Sequence, residues 1–375
     1  MSQTTASLPG ATAPPGPAPV LLLAQRREQL SALERDWKQL SRQAHPYDPF
    51  LSWEWQTSWM AAHPRLHPCV AAEYFPDGSL AGLLALQRVR RHGLSQLEFM
   101  SQGSGADELD CLLHPRARPG LAQALLAAAR RCRSWDLLRL QSARADGALA
   151  QVLTRQPGCE AAPGDWLPFL QLPAGADAWL ASCSANFRAE IRRRRRVFAR
   201  THPDASVECI TDPAALGAGL LILYRLHNLR RTQRQGEGIF TSPALRAFHS
   251  RLGPLLARSG VARLYLLRTP AHAVAALYGF VAGDRFLYFQ SGFDPAFTAL
   301  SPGTVLLSNV VEDAIRLGLS RFELLRGDEA YKSRWTSLRR RDVTLLQAGS
   351  SLGYGYLRVR GWMHRLRRRG PTPPP

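Results

Sequence analysis

Apolar and polar positions in the first half of the chain alternate in the way that is typical of a strand-rich α/β unit. The turn Pro76-Asp77-Gly78 separates two apolar runs of strand length and predicts a β-hairpin. Ser52 precedes a tryptophan-rich helical segment and is the expected N-cap. In chain order, the pattern predicts a helix over 21–43, strands over 70–74, 80–89 and 94–100, a helix over 121–133 and a strand over 137–141.

The second half has longer segments with helical periodicity, followed by a meander of strands. The predicted elements are helices over 178–200, 222–235 and 243–258, strands over 262–268, 273–281 and 285–291, a helix over 301–317, and a strand from Arg321. Gly318 is expected to end the last of these helices. The order predicts an α/β (α+β) protein in which each half is a mixed, mainly antiparallel sheet flanked by helices.

A length of 375 residues suits two domains better than one. The predicted division is a flexible Pro/Ala-rich tail over 1–19, domains over 20–172 and 173–350, and a basic, aromatic tail over 351–375. The six cysteines include no C-x-x-C pair, which predicts reduced thiols in a cytoplasmic protein and no metal site. No apolar run reaches the roughly 20 residues that span a bilayer.

Charge narrows the choice of partners. The chain has 48 Lys+Arg against 29 Asp+Glu, a net charge of +19, and a sequence pI near 10.8. This excess indicates an anionic partner: a nucleic acid, an acidic membrane face, an acidic protein or a phosphate-bearing small molecule. The basic tail interleaves six arginines with Tyr354, Tyr356 and Trp362, which predicts a weak contact with an anionic membrane at the inner face and no specific binding of nucleic acid.

The helix over 178–200 contains five consecutive arginines, 192–196. Leu180, Phe187, Ile191 and Phe198 form one apolar stripe at helical spacing, and Arg194 lies at its centre. Arg194 is therefore expected to face inward, where a guanidinium needs a carboxylate or a bound phosphate. An arginine that only passes the edge of the core would give the same pattern.

The stretch Arg321–Trp335 places a polar loop directly after a short apolar strand. Carboxylates, a phenol and an ammonium at a strand end are a candidate site. Only two of the 48 cations are lysines, Lys38 and Lys332. A lysine in so arginine-rich a chain indicates a place where a compact ammonium fits and a planar guanidinium does not. The start of the helix after Ser301, with Gly303, is a candidate anion site.

The order of elements from the helices to this loop resembles the Gcn5-related N-acetyltransferase superfamily, and more closely its bacterial CelD-like branch, which is related to the Fem-type aminoacyltransferases. The resemblance extends from about Asn186 to Trp335 and is looser over 49–172. The segments that carry it are Asn186-Phe187-Arg188, Leu226-His227 with Arg230, Ala275–Gly279, Gln290–Pro295, Leu300–Gly303 and Leu325–Lys332. Of the family's acetyl-CoA loop only one glycine remains, in 300–305.

The resemblance implies two tandem acetyltransferase-like units, the first degenerate, and transfer of an acyl group from acetyl-CoA or another acyl-CoA to the amine of a small molecule, sugar or envelope precursor. Tyr331 is then the expected acid for the departing thiolate, and Glu323, Asp328 and His227 are candidates for the base. Ser301, Gly303, Thr304, Lys332 and Arg194 are expected to hold the donor. Arg230, Gln290 and Arg326 are expected to contact the acceptor.

Two other classes of function stay open at this point. One is an inactive acetyltransferase-like scaffold in polysaccharide or envelope synthesis, which the loss of most acetyl-CoA loop residues favours. The other is a basic protein that binds nucleic acid or a membrane surface, which the net charge favours.

Overall fold

A computed structural model describes residues 20–44, 47–132, 134–233, 239–327 and 329–368. The predicted tail over 1–19 lies outside them. The described residues form a mixed sheet with the strand order β1-β2-β3-β4-β6-β13-β7-β12-β11-β10-β9-β8, and β5 pairs with β3 at the side. Most neighbouring strands are antiparallel, and helices cover the sheet. This architecture confirms the predicted fold class.

The first half holds seven strands and the helices between them. They are β1 (Val20–Ala24), α1 (Arg27–Leu30), α2 (Glu34–Gln43), α3 (Trp53–Ala62), β2 (His67–Tyr74), β3 (Leu80–Arg91), β4 (Leu94–Phe99), β5 (Leu112–Leu113), α4 (Leu121–Ala129), β6 (Leu137–Ala143), α5 (Ala148–Thr154) and β7 (Cys159–Gln171). The predicted hairpin is confirmed as β2 and β3, and Ser52 caps α3 by accepting a hydrogen bond from the Trp55 amide at 3.2 Å.

The second half begins with two helices and ends with a strand that returns to the first half, followed by a final helix. Its elements are α6 (Ala176–Ser182), α7 (Ala185–Thr201), β8 (Ser206–Ile210), α8 (Pro213–Gln233), α9 (Pro243–Arg258), β9 (Ala262–Arg268), β10 (Ala273–Ala282), β11 (Arg285–Phe293), α10 (Pro302–Arg316), β12 (Arg321–Glu323), α11 (Lys332–Trp335), β13 (Arg339–Ala348) and α12 (Ser351–Arg368). Helix α12 occupies most of the predicted tail.

Two sequence expectations about elements are wrong, and some strands were missed. Residues 20–24 form strand β1 instead of the start of a helix, because they pair antiparallel with β2 at the sheet edge. The single helix expected over 178–200 is broken at Cys183 and Ser184, where Ser184 caps α7. Strands β5, β7, β8 and β13 were not predicted.

The expectation of six reduced cysteines is also wrong for one pair. Cys69 in β2 and Cys132 after α4 are joined by a disulfide, and both residues are buried. Cys111, Cys159, Cys183 and Cys209 are free thiols.

Strand β7 joins the two halves into one sheet. Its first part pairs with β13, whereas its last residues, 169–171, pair with β12. The domain boundary predicted near Leu172 coincides with the end of β7 and stays a prediction. One face of the second half packs on α8 and α9, and the opposite face packs on α6, α7 and α10.

A parallel strand pair with a helix in its connection occurs once in each half. In the first half, β4 and β6 pair over 96–97 and 137–138, and α4 lies between them in the chain. In the second half, β11 and β12 pair over 285–287 and 321–323, and α10 lies between them. This local recurrence agrees with two units of the same type in tandem.

Candidate functional site

Strands β11 and β12 diverge after a short parallel ladder, and this opens a gap in the sheet. Their pairing stops at Leu287 and Glu323, although β11 continues to Phe293. Beyond β12, the Leu324 amide donates to the carbonyl of Pro168 at 2.9 Å, and Leu325 then takes a left-handed φ of 53°. A branched residue rarely adopts this conformation, so the surrounding contacts must hold it there. The turn leads the chain away from β11.

The first half of the molecule holds the diverging chain. Both oxygens of the buried Asp107 carboxylate accept hydrogen bonds from Arg326, one from its backbone amide at 2.9 Å and one from its Nε. Arg326 Nη2 also donates to the carbonyl of Ala106. A charged bidentate contact of this kind fixes direction as well as distance. Arg326 is thus positioned by a residue more than 200 positions earlier in the chain.

Lys332 fixes the other end of the same loop. Its ammonium donates to the carbonyls of Leu325 at 3.2 Å and Arg326 at 2.7 Å, and pairs with Glu329 at 3.0 Å. The residue is 5% exposed. Three acceptors match the three protons of an ammonium. Gly327, with a φ of 131°, lies beside them, and a Cβ there would collide with the Glu329 carboxylate.

Tyr331 lies over the gap as a result. Its hydroxyl donates to the hydroxyl of Tyr288 in β11 at 3.3 Å, and Tyr288 in turn lies 2.5 Å from the hydroxyl of Ser291. Burial, followed by the neighbouring Tyr288, raises the pKa of Tyr331 well above its ordinary value. The phenol therefore stays protonated at physiological pH and can donate. Trp335 is the last residue of the short helix α11, and its ring centre lies 5.2 Å from that of Phe187, which fixes this helix in place.

Two cavities meet at Tyr331. The first, here called the helix-start lobe, has a volume of about 210 Å³ and is lined by the start of α10, by Ala275–Leu277 and by apolar side chains of α7 and α10. The second, the loop lobe, has a volume of about 290 Å³ and is lined mainly by charged and polar side chains. Both lobes are lined by Arg230, Tyr288, Ser291 and Tyr331. A group bound in one lobe can therefore meet a group bound in the other beside Tyr331.

The helix-start lobe has the features of an anion site. Ser301, with a left-handed φ of 53°, precedes α10, and Pro302 occupies its first turn. Gly303 and Thr304 line the lobe at the positive end of a 15-residue helix. A Cβ on Gly303 would meet only Phe293, at 3.5 Å, so the backbone here is approachable. Ser301, Gly303 and Thr304 therefore line one cavity, and their expected contact with the donor stays a prediction.

The loop lobe brings together the expected acceptor residues and one candidate base. It is lined by His227, Arg230, Gln290, Arg326, Glu329 and Lys332, among others. His227 Nδ1 lies 2.9 Å from the carbonyl of Ser291. A carbonyl oxygen only accepts, so Nδ1 carries the proton and the neutral ring has its basic lone pair on Nε2. The Arg230 guanidinium lies 4.9 Å from the ring centre of Phe293 and 5.9 Å from that of Tyr331.

Two of the expected site residues lie elsewhere among the described residues, and a third is not described. Glu323 is fully buried and pairs with Arg340 at 2.7 Å; burial raises its pKa, but the side chain lines neither lobe. Arg194 donates to the carbonyl of Ala299 at 3.3 Å and also lines neither lobe. Asp328 lies outside the described residues. Lys332 lies in the loop lobe, away from the start of α10.

Sequence reasoning missed Tyr288 and Asp107 as site residues, and it placed Glu329 in the candidate loop without a role. Tyr288 lies inside a β-bulge, where Tyr278 and Gly279 of β10 pair with Gln290 and Tyr288 and leave Phe289 unpaired. The sequence signals neither the bulge nor a contact as distant as that from Asp107 to Arg326. In the first half, the gap that corresponds to the site is filled: Gln102 accepts from the Gln141 amide at 2.9 Å, and Leu109 bridges to Ala143.

Comparisons with known proteins relate this fold and its site to a known class of enzyme. Residues 185–333 match the family model described as an acetyltransferase (GNAT) domain. None of the curated proteins matches the chain. Helices of the described residues include none long and apolar enough to cross a membrane.

Several solved structures share the fold. A crystal structure of FemX has a TM-score of 0.60 at 10% identity, covering 83% of this chain and 95% of that one. The C-terminal domain of a putative lysylphosphatidylglycerol synthetase from Agrobacterium fabrum has a TM-score of 0.54 at 10% identity, covering 87% and 95%. L-PGS from Bacillus licheniformis has a TM-score of 0.53 at 10% identity, covering 91% and 97%. The match of residues 185–333 to the GNAT family model, on a fold that these structures share, identifies the chain as an acyltransferase.

Proposed function

We propose that the chain moves an acyl group from an acyl-CoA, with acetyl-CoA as the first candidate, to the amine of a small molecule, sugar or envelope precursor. The observation that carries the proposal is the position of Tyr331 at the junction of the two lobes. One lobe has an anion site and an apolar wall, which suit a phosphorylated thioester donor. The other has the polar and charged side chains that suit an acceptor.

The donor fits the helix-start lobe on three grounds. The Gly303 amide and the positive end of the α10 dipole suit an anion such as a pyrophosphate. The edge of β11 beyond Leu287 is not paired with β12, so its backbone groups, apart from the Ser291 carbonyl that His227 contacts, can meet the amide groups of a pantetheine arm. Ala275–Leu277 and Leu306 offer an apolar wall. When bound there, the thioester supplies an activated carbonyl and a thiolate leaving group.

Two side chains would perform the proton chemistry, and a third would orient the reacting groups. His227 takes the proton of the attacking amine at Nε2, since its Nδ1 proton is held by the Ser291 carbonyl. Tyr331 donates from its hydroxyl to the departing sulfur. Because its pKa is raised above that of a thiol, about 8.5, the phenol stabilises the thiolate as a hydrogen-bond donor before any proton moves. Arg230, which lines both lobes, orients the groups that react.

The finer assignments are proposals of the same kind. Membership of the CelD-like branch, and with it a role in polysaccharide or envelope synthesis, rests on the motif segments from Asn186 to Trp335. The location expected from the sequence is the cytoplasm or its membrane face. Arg194 and Lys332 as donor ligands, and Glu323 and Asp328 as bases, stay predictions. Glu323 lines neither lobe, which favours His227 as the base. Lys332 lies in the loop lobe, which favours the start of α10 as the donor site.

Gly303→Asp tests the donor site. The new side chain has room, since the nearest atom to a Cβ is 3.5 Å away, but its charge opposes a pyrophosphate at the helix start. We expect calorimetric titration to show acetyl-CoA binding to the wild type and about tenfold or more weaker binding to the variant. The matched control is Gly175→Asp at the start of α6, where nothing lies within 4 Å and no change is expected. A variant with wild-type affinity would move the donor site away from α10.

A further inference from the structure

Helix α12 exposes an apolar stripe on its outward side. Leu352 is 66% exposed, Val359 54% and Trp362 57%. These residues are separated by seven and three positions, so they lie close to one line along the helix surface. Large apolar side chains that share one exposed line mark an interaction surface more often than scattered ones do.

The opposite side of α12 is fixed to the sheet. Leu357 is buried against Leu137, Leu346 and Ala348. At the start of the helix, a Cβ on Gly353 would collide with the carbonyl of Asp136, so the backbone packs there directly. The stripe is therefore a fixed feature of the folded surface.

The charged side chains of the segment that carries the stripe have one sign. From Ser351 to Pro375 the sequence contains no Asp or Glu and six arginines: Arg358, Arg360, Arg365, Arg367, Arg368 and Arg369. Arg360 pairs with Glu160 at 3.4 Å. Arg358 is exposed and has no ion pair among the described residues. An apolar line flanked by arginines is the pattern of a helix that lies in the interface of an anionic membrane.

A basic groove adjoins the start of α12. Its volume is about 830 Å³, and Arg65, Arg88 and Arg90 line it. Within the described ranges, none of these three side chains forms an ion pair or a hydrogen bond. The carboxylate in the groove, Asp136, is already held by the Ser350 hydroxyl at 2.6 Å and the Ser95 amide at 2.8 Å. Because Ser350 directly precedes α12, the groove and the helix are neighbours on the surface.

We propose that the outer face of α12 and the adjoining groove dock the protein on a membrane of anionic phospholipid. Trp362, Val359 and Leu352 enter the interface between headgroups and acyl chains, and the groove arginines contact headgroup phosphates. A membrane is favoured over a nucleic acid because burying the exposed Leu352, Val359 and Trp362 side chains in lipid stabilises the bound state, whereas a row of phosphates offers them no apolar surface. The surface is distinct from the two lobes at Tyr331.

Co-sedimentation of the full chain with vesicles tests the proposal. We expect binding to phosphatidylcholine vesicles that contain phosphatidylglycerol at roughly three to one, and little binding to phosphatidylcholine alone. Val359→Glu with Trp362→Glu should weaken binding by about tenfold or more. Arg88→Gln with Arg90→Gln should weaken it by about tenfold and reduce its salt dependence. The matched control Leu317→Glu, at an apolar residue 42% exposed at the end of α10, should bind as the wild type does.

Four results would overturn the proposal. They are no preference for the anionic vesicles, unchanged binding by the α12 variant, a wild-type dimer in light scattering that the α12 variant dissolves, and duplex DNA binding tighter than vesicle binding. Circular dichroism checks the fold of each variant. If the double glutamate variant fails to fold, Trp362→Ser, which removes the ring without adding charge, repeats the measurement with the same expected direction.

Discussion

Tyr331 owes its position to contacts made by other residues of its loop. Asp107 holds Arg326, Lys332 holds the carbonyls of Leu325 and Arg326, and Trp335 packs behind α11. A phenol set over the gap in this way needs little reorganisation during reaction, and that is the condition for efficient electrostatic catalysis.

The scarcity of lysine did identify a residue with a special environment. The buried Lys332 ammonium has three acceptors around it, and a wide guanidinium would not fit among them. The sequence could not show that these acceptors belong to its own loop, because the left-handed turn at Leu325 that brings them together has no sequence signal. Its expected contact with donor phosphates stays a prediction.

Lys332→Arg should therefore disturb the loop more than the donor site. We expect overpacking to lower the free energy of unfolding by about 1–3 kcal/mol and to reduce turnover, with acetyl-CoA affinity retained. Urea unfolding and calorimetric titration measure the two effects. Lys38→Arg is the matched control, because Lys38 is half-buried and pairs with Glu34 on α2. Weaker donor binding with unchanged stability would instead assign Lys332 to the donor.

At the scale of elements, the sequence pattern predicted the helices and strands whose formation depends on residues close to them in the chain. The β2–β3 hairpin, helix α9 and the meander β9–β11 agree with their predicted ranges within one or two residues at most ends. Strands β1, β8 and β13 are formed by pairing with distant partners, and their sequences also suit helix or loop. Strand β13 is charged over its first half, so a pattern of alternating burial could not reveal it.

Asp342, inside β13, predicts how the stability of the protein depends on pH. Asp342 sits at a break in the β13–β7 register, and its carboxylate accepts from the Asp165 amide at 2.6 Å. A Cβ on the facing Gly164 would collide with this carboxylate. Burial raises the pKa of Asp342 to about 6.

Asp342→Asn should change how stability depends on pH. Unfolded Asp ionises near pH ~3.9. Between that value and about 6, folded Asp342 keeps a proton that the unfolded chain has lost, so its contribution to the free energy of unfolding falls as pH rises. The stability of the wild type relative to the asparagine variant should therefore decline from pH ~4 to ~6 and then stay level. Urea unfolding across this range measures it. If the free energy of unfolding changed with pH in the same way for the wild type and the variant, the pKa of Asp342 would be at its ordinary value.

At the scale of the whole molecule, the first half supports the site in the second. Its own corresponding gap is filled by the segment around Gln102 and Leu109, and that segment presents Asp107 to Arg326. Glu108 pairs with Arg340 of β13 at 2.6 Å, which ties the same segment to the returning strand. The sequence predicted two units and a degenerate first one. It could not predict that the filled gap would position the loop of the other unit.

Asp107→Asn tests this support. The variant loses the charge that holds Arg326, so the loop lobe should widen while the start of α10 is untouched. We expect acyl transfer to fall by about 10²-fold, since small misplacement of reacting groups has effects of that size, with acetyl-CoA affinity retained. Single-turnover assays and calorimetry measure the two. Asp77→Asn, in the exposed β2–β3 turn, is the control; equal rates for both variants would make the Asp107 contact incidental.

The central claim is that Tyr331 serves acyl transfer at the junction of the lobes, and Tyr331→Phe tests it most directly. The change removes one hydroxyl and little packing, so fold and acetyl-CoA affinity should persist. Single-turnover transfer from acetyl-CoA to a panel of amino sugars and amino acids should fall by about 10²–10⁴-fold with the acceptor that the wild type uses. A variant that binds acetyl-CoA and transfers its acyl group at the wild-type rate would contradict the claim.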